Sequence, residues 1–243
     1  MKYLSSITIV IMTLFQSCSV IPEESASKTH NVNHYNICLI LDGTDRLSEE
    51  NGVPVVTSEE INKLANTLSD KGVGNLYVSY VDKNCDNNHV AIFEWLEERP
   101  ETTGEKPGYM KMEVYKKQEK AYRENMEAYN KRKEDALGLF STESNAIVTS
   151  AYSDLVAKQK NGSDVNGAIN KAYRLLRASE QESVHSHIIL ISDGCDNVGN
   201  KLTESFHNTE LVIVNSNVSK HKYGELVSKE FVTLKQAVNY IFK

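Results

Sequence analysis

The sequence predicts an α/β fold built on a doubly wound, mostly parallel central sheet. Three stretches dominated by apolar, often β-branched residues, at 35–42, 187–193 and 210–215, have the pattern of strands buried on both faces. Segments with helical spacing of apolar residues separate them, and such alternation is typical of parallel sheets. The chain has 243 residues, 40% of them hydrophobic, which is enough for one core.

The first half of the predicted fold consists of strands on either side of a helix. The strand at residues 35–42 ends abruptly in Asp42. Thr57 or Ser58 is expected to cap the helix that follows. The inner face of this helix is formed by Ile61, Leu64, Ala65 and Leu68. Residues 75–82 are the next predicted strand, and residues 90–93 are expected to return as an edge strand.

A long, heavily charged segment at about residues 99–139 is predicted to be an insertion that contains one long helix. Tyr115, Tyr122 and Tyr129 recur every seven residues along it. About 28 helical residues would span roughly 40 Å at ~1.5 Å per residue. The tyrosine stripe is expected to pack this helix along its own domain. A projecting arm that pairs with a partner helix is the alternative.

The rest of the chain repeats the alternation of helix and strand. Its predicted elements are helices at residues 145–158 and 165–177, a strand at 187–193, a short helix at 202–206, a strand at 210–215, and a last strand or turn with a terminal helix within 231–242. His185 and His187 flank one of these strands and are predicted to be surface histidines. That strand ends at Asp193, and we expect it to lie beside the first strand with Asp42 and Asp193 converging at the carboxyl edge.

The N-terminus is predicted to be a targeting segment. Residues 1–17 have the positive start and short apolar region of a signal peptide, too short to cross a membrane. Ser17 followed by Cys18 resembles the lipobox of bacterial lipoproteins, which implies that Cys18 carries acyl chains such as palmitate. An ordinary secretory signal is the alternative. Residues 18–33 are polar and predicted to be a flexible tether. The chain is therefore expected at the bacterial cell envelope, lipid-anchored on the periplasmic or outer-membrane side.

Three cysteines follow Cys18. Cys38 lies inside the first predicted strand and is expected to be a small core residue. Cys85 and Cys195 each follow a predicted strand end, so a disulfide between them is one expectation and unpaired thiols are the other. The spacing of these cysteines does not match a zinc site.

Three predicted loops carry polar residues that would meet at one edge of the sheet. Their order resembles the von Willebrand factor type A (vWA) domain, whose metal-ion-dependent adhesion site combines an Asp-x-Ser-x-Ser loop, a threonine that opens a helix, and an Asp-Gly pair. The matching residues here are Asp42 and Thr44 in the first loop, Ser163 in the second, and Asp193 with Gly194 in the third. The likeness covers residues 35–243 apart from the insertion.

The resemblance implies a Rossmann-like vWA domain at residues 34–243 and a Mg²⁺ site made by Asp42, Thr44, Ser163 and Asp193. Carboxylate and hydroxyl oxygens suit this hard cation. Arg46 departs from the family pattern, because it stands where the second serine supplies a ligand oxygen. Either its guanidinium swings outward, or it takes the place of the cation between the aspartates.

The predicted function is protein–protein binding at the envelope, in which the cation accepts a carboxylate from the partner protein. A metal-free scaffold that binds through the inserted helix is the first alternative. A Mg²⁺-dependent phosphohydrolase using Asp42 is the second, although phosphate-binding loops and nucleophile elbows do not occur in the sequence. The net charge of −6 argues against nucleic acid as a partner, since phosphate binding needs concentrated basic charge.

Overall fold

A six-stranded sheet forms the centre of the computed structural model. The structure describes residues 32–43, 52–103, 112–152, 162–178, 184–203, 208–215, 223 and 227–243. The strands are β1 (His34–Leu41), β2 (Val73–Tyr80), β3 (Ala91–Trp95), β4 (His185–Ile191), β5 (Thr209–Val214) and β6 (Val227–Phe231). Their order across the sheet is β3-β2-β1-β4-β5-β6. Only the edge strand β3 runs antiparallel to its neighbour.

Helices cover both faces of this sheet. They are α1 (Ser58–Lys71), α2 (Met112–Tyr152), α3 (Val165–Ala178) and α4 (Leu234–Ile241), and a 3₁₀ turn lies at Cys85–Asn87. The side chains of β1 alternate between two apolar layers: Ile37, Leu39 and Leu41 share one with α1, α2 and α4, while Cys38 and Ile40 share the other with α3. The prediction of an α/β fold with a mostly parallel sheet is confirmed, and the strand order is Rossmann-like.

The start of α1 shows how the sequence fixes a helix end. Thr57 is the N-cap, and its hydroxyl accepts a hydrogen bond from the backbone N–H of Glu60 at 3.3 Å. The Glu60 carboxylate accepts one in return from the Thr57 backbone N–H at 2.9 Å. This reciprocal pair satisfies two backbone donors that the first turn would otherwise leave open. Thr57, rather than Ser58, is therefore the cap.

The long helix α2 is one continuous helix of 41 residues, where the sequence predicted two. It spans roughly 60 Å at ~1.5 Å per residue. The predicted break between about residues 139 and 145 does not occur, and the helix also passes through Gly138. The helix continues there because the buried stripe of Tyr129, Phe140 and Ile147 runs on past the glycine. Packing of that stripe outweighs the ~1 kcal/mol that a helical glycine costs.

The second half of α2 packs on its own domain, as predicted. The Tyr129 hydroxyl donates to the Ser69 carbonyl oxygen at 3.1 Å, and its ring meets Trp95 edge-on at 5.3 Å. The Asn62 amide donates to the hydroxyl of Ser141 at 2.8 Å, which ties α1 to the same half of the helix. In the first half, Tyr115 and Tyr122 are only half-buried and lie outside the apolar core.

Several smaller predictions have different outcomes. Cys38 is fully buried, as expected. The prediction of a surface histidine at His187 is wrong: it is 7% exposed, because β4 is an interior strand, and its Nδ1 lies 3.4 Å from Glu210 on β5. Residues 201–203 are not helical, and the rest of the predicted helix at 202–206 lies outside the described residues.

The N-terminal predictions, which comprise the signal peptide, Cys18 and most of the tether, also fall outside the described residues. Within the described ranges, none of the helices combines the length and the apolar character that crossing a membrane requires.

Candidate functional site

The sheet has a topological switch point between β1 and β4. These strands are parallel neighbours, but the chain leaves β1 toward β2 on one side and leaves β4 toward β5 on the other. In open α/β sheets, ligands bind in the crevice at the carboxyl ends of such strands. Asp42 directly follows β1, and Ser192 and Asp193 directly follow β4. Two of the predicted site residues therefore flank this crevice.

Asp42 is buried, with 3% of its surface exposed, and it is held from two directions. Its backbone N–H donates to the Ile191 carbonyl oxygen at 3.0 Å, which extends the β1–β4 ladder by one residue. Its Oδ2 accepts a hydrogen bond from the Ser192 hydroxyl at 2.6 Å. Ser192 Oγ in turn accepts from the Gly194 N–H at 2.9 Å. The side chain of Asp42 thus has a fixed orientation at the head of its strand.

The first loop is pressed against the end of α2. A Cβ built on Gly43 would lie 2.0 Å from the carbonyl oxygen of Ala151, in the last turn of the helix. Only glycine allows this approach of two backbones. The predicted ligand Thr44 and the cation Arg46 follow Gly43 but lie outside the described residues.

The second loop leads into α3 and places Ser163 and Asp164 in buried positions, 5% and 3% exposed. Asp164 Oδ1 accepts from the Gly167 N–H at 2.7 Å, the bond expected of a helix cap. The Asp164 N–H donates to the carbonyl oxygen of Asp82, which anchors the loop to the end of β2. Asp164 is therefore the structural carboxylate of this loop, while Ser163 carries the hydroxyl predicted as a ligand.

The third loop contains Asp193, which is 6% exposed. Its Oδ1 accepts from the Cys195 N–H at 2.7 Å. Its other carboxylate oxygen makes no hydrogen bond to any residue of the described ranges. Further along the loop, Asn197 forms a two-way pair with the backbone of Ser163: the Asn197 N–H donates to its carbonyl oxygen at 3.1 Å, and Asn197 Oδ1 accepts from its N–H at 2.6 Å. The second and third loops are thereby joined.

Tyr223, in the connection from β5 to β6, also belongs to the site. Its hydroxyl donates to Asn166 Oδ1, in the first turn of α3, at 2.9 Å. Burial raises the pKa of the phenol well above its usual range, and the negative charges of Asp196, Asp42 and Asp193 raise it further. Both predicted ligand carboxylates are therefore close enough to Tyr223 to act on its ionisation. Sequence patterns gave no sign of this residue.

The donor set fits a hard divalent cation. Among the described residues, no group of three or more His, Cys, Asp and Glu side chains is arranged to hold a metal ion. Asp42 and Asp193 instead supply carboxylate oxygens at the switch point, and Ser163 supplies a hydroxyl at the same end of the sheet. Mg²⁺ takes oxygen ligands and keeps several waters, so it needs few protein carboxylates.

No protein-family model matches the chain. A comparison with curated proteins likewise found no match.

The two remaining predicted site cysteines lie near this end of the sheet. Cys85 begins the 3₁₀ turn and is a buried thiol whose sulfur lies 3.1 Å from the carbonyl oxygen of Asp164. Burial raises its pKa to about 12, so it ionises little at neutral pH. Cys195 is partly exposed in the third loop. The disulfide between them stays a prediction, which peptide mapping of the unreduced protein tests.

Proposed function

We propose that this chain is a vWA-like protein-binding domain, tethered at the bacterial envelope, that engages its partner through Mg²⁺ at the switch point between β1 and β4. The observation that carries the proposal is the joint placement of Asp42, Ser163 and Asp193, all buried, at one end of the sheet. The oxygen character of this set and its place in the fold are what favour a cation-dependent binding site.

The electrostatics of the site favour a positive charge beside the two carboxylates. Burying two carboxylates on adjacent strands is costly unless positive charge compensates them. Asp42 and Asp193 are both buried, and both act on Tyr223. A divalent cation would compensate both charges at once. The Arg46 guanidinium is the competing source of positive charge, and the two sources make opposite predictions for added Mg²⁺.

The residues of this chain would prepare the site before a partner arrives. Asp42, Ser163, Asp193 and Thr44 would hold the ion, which when bound would supply an open position for a partner carboxylate oxygen. Ser192 keeps the Asp42 carboxylate in one orientation. Three exposed valines lie in the segments at this end of the sheet: Val55, Val198 and Val232. They would supply apolar contact area to a partner protein.

The tether is the second part of the proposal. Acylation at Cys18 would supply membrane affinity that the domain itself does not need to provide. Partitioning of the full chain into the detergent phase, lost in Cys18→Ser, is the expected result. Partitioning that survives the substitution would contradict the lipid anchor.

Thermal unfolding with and without cation tests the binding site. At a Mg²⁺ or Mn²⁺ concentration of about 100 times Kd, a bound ion adds about 2.7 kcal/mol to the free energy of unfolding. For a domain of this size we expect Tm to rise by roughly 5–10 °C. Asp42→Asn should abolish the rise, because it removes the charge but keeps an acceptor for Ser192. An unchanged wild-type Tm would favour Arg46 as the compensating charge.

Two alternatives have their own observations and tests. The half-buried Tyr115 and Tyr122 on the first half of α2 favour a metal-free scaffold. A scaffold of this kind predicts partner binding that survives chelation and fails in Tyr122→Ala.

A phosphohydrolase would turn over a generic phosphoester and lose turnover in Asp42→Asn. We propose binding rather than catalysis. Asp42 is the candidate nucleophile, but Thr44 stands two residues after it, where a phosphohydrolase of this type would need a second aspartate.

A further inference from the structure

The loop that follows β4 is fastened along the start of α3 by a series of hydrogen bonds. The Asp196 carboxylate accepts from the Asn166 N–H at 2.9 Å, and the Asn200 amide donates to the Asp164 carboxylate at 2.8 Å. Further from the site, the Asn170 side chain pairs with the loop backbone at Lys201 O and Thr203 N. We call residues 196–203 the clasp. It makes the second and third loops one unit.

Within the clasp, the pair between Asn197 and Ser163 is the contact nearest to the predicted ligands. Asn197 engages both the N–H and the carbonyl oxygen of Ser163, as described above. Gly162, just before Ser163, has a φ of +94°, and a Cβ there would lie 2.8 Å from Asn197 Oδ1. The chain therefore uses a glycine to let Asn197 reach the loop backbone.

We propose that Asn197 is a positioning residue of the cation site. By holding the Ser163 backbone on both sides, it fixes the Ser163 hydroxyl relative to Asp193, which lies in the same loop as Asn197. This inference rests on the proposed function. A neutral hydroxyl is a weak ligand, so its contribution depends on being held in place before the ion binds. Residues that orient metal ligands in this way change affinity by about 10–100-fold when they are removed.

The test measures Mn²⁺ affinity, by electron paramagnetic resonance of free Mn²⁺, for the full chain and four variants. Asn197→Ala removes the side-chain acceptor and should raise Kd about 10–100-fold. Asn197→Asp keeps an oxygen for the Ser163 N–H and should retain wild-type affinity or better. Asn170→Ala is the matched control, since it loosens the far end of the clasp and should lower Tm without changing Kd.

Each result of this experiment either supports or overturns the positioning role of Asn197. Wild-type Mn²⁺ binding that Asn197→Ala leaves unchanged overturns the positioning role alone. Equal weakening by Asn197→Ala and Asn170→Ala also overturns it, because loop order in general would then be the cause. No Mn²⁺ binding by the wild type overturns both this inference and the proposed function. Asn197→Gln sets the amide one methylene too far and should weaken binding as well, which keeps the test valid if Asn197→Ala fails to fold.

Discussion

Gly43→Ala should lower the free energy of unfolding by about 3 kcal/mol, at the upper end of what overpacking a close contact costs. The new methyl group would stand 2.0 Å from the backbone oxygen of Ala151, so neither side can yield by a side-chain rotation. For a domain of this size, Tm should fall by roughly 6–12 °C in thermal unfolding followed by circular dichroism. The variant would also disturb the candidate cation site, because Gly43 directly follows Asp42.

Gly138→Ala is the matched control for this experiment. Beyond the adjacent residues and the backbone of its own helix turn, a Cβ on Gly138 would meet no atom within 4 Å, and the residue is exposed inside α2. Alanine should therefore stabilise the helix by about 1 kcal/mol and raise Tm by roughly 2–4 °C. If Gly43→Ala left the free energy of unfolding unchanged, the first loop would not pack on the end of α2. A destabilising Gly138→Ala would show that α2 is not continuous there.

Phe140→Ala should cost about 3–5 kcal/mol, the usual range for removing a buried aromatic ring. Phe140 is 2% exposed, and its ring centre lies 5.5 Å from that of Phe93 on β3. Its neighbour Leu139 is 74% exposed, so Leu139→Ala should change the free energy of unfolding by less than about 0.5 kcal/mol. Urea unfolding of the two variants measures the difference directly.

This pair of variants distinguishes the two predicted roles of the long helix. If α2 were a projecting arm over its whole length, both substitutions would be nearly neutral. If its second half packs as the structure shows, only Phe140→Ala is costly. Equal effects at positions 139 and 140 would contradict the packing of α2 against α1 and β3.

The strands were predictable because burial on both faces produces continuous apolar runs. The run that ends at Asp42 and the one that ends at Asp193 each became a strand at the centre of the sheet. The start of α1 was predictable for a local reason as well, since its cap contacts lie within four residues of sequence. The prediction of two helices in place of α2 is wrong, because the packing that keeps the helix continuous between residues 139 and 145 is tertiary and leaves no local signal.

The candidate site was predictable only in part. Asp42, Ser163 and Asp193 stand at strand or helix ends, and the sequence predicts such ends from the points where apolar runs stop or begin. Tyr223 lies in a connection without such a pattern, and the partner of Asn197 is 34 residues away in sequence. Contacts of this kind are set by the folded chain and leave no periodic signal. The prediction for His187 is wrong for a related reason, since the burial of an interior strand depends on its neighbours in the sheet.

We propose that the switch point between β1 and β4 holds a divalent cation through Asp42 and Asp193. The most direct test of this claim is the number of Mn²⁺ ions bound at saturation by the full chain, compared with Asp42→Asn and Asp193→Asn, each confirmed as folded. We predict one ion per chain for the wild type and none for either variant. No bound ion in the wild type, or undiminished binding in both variants, would contradict the claim.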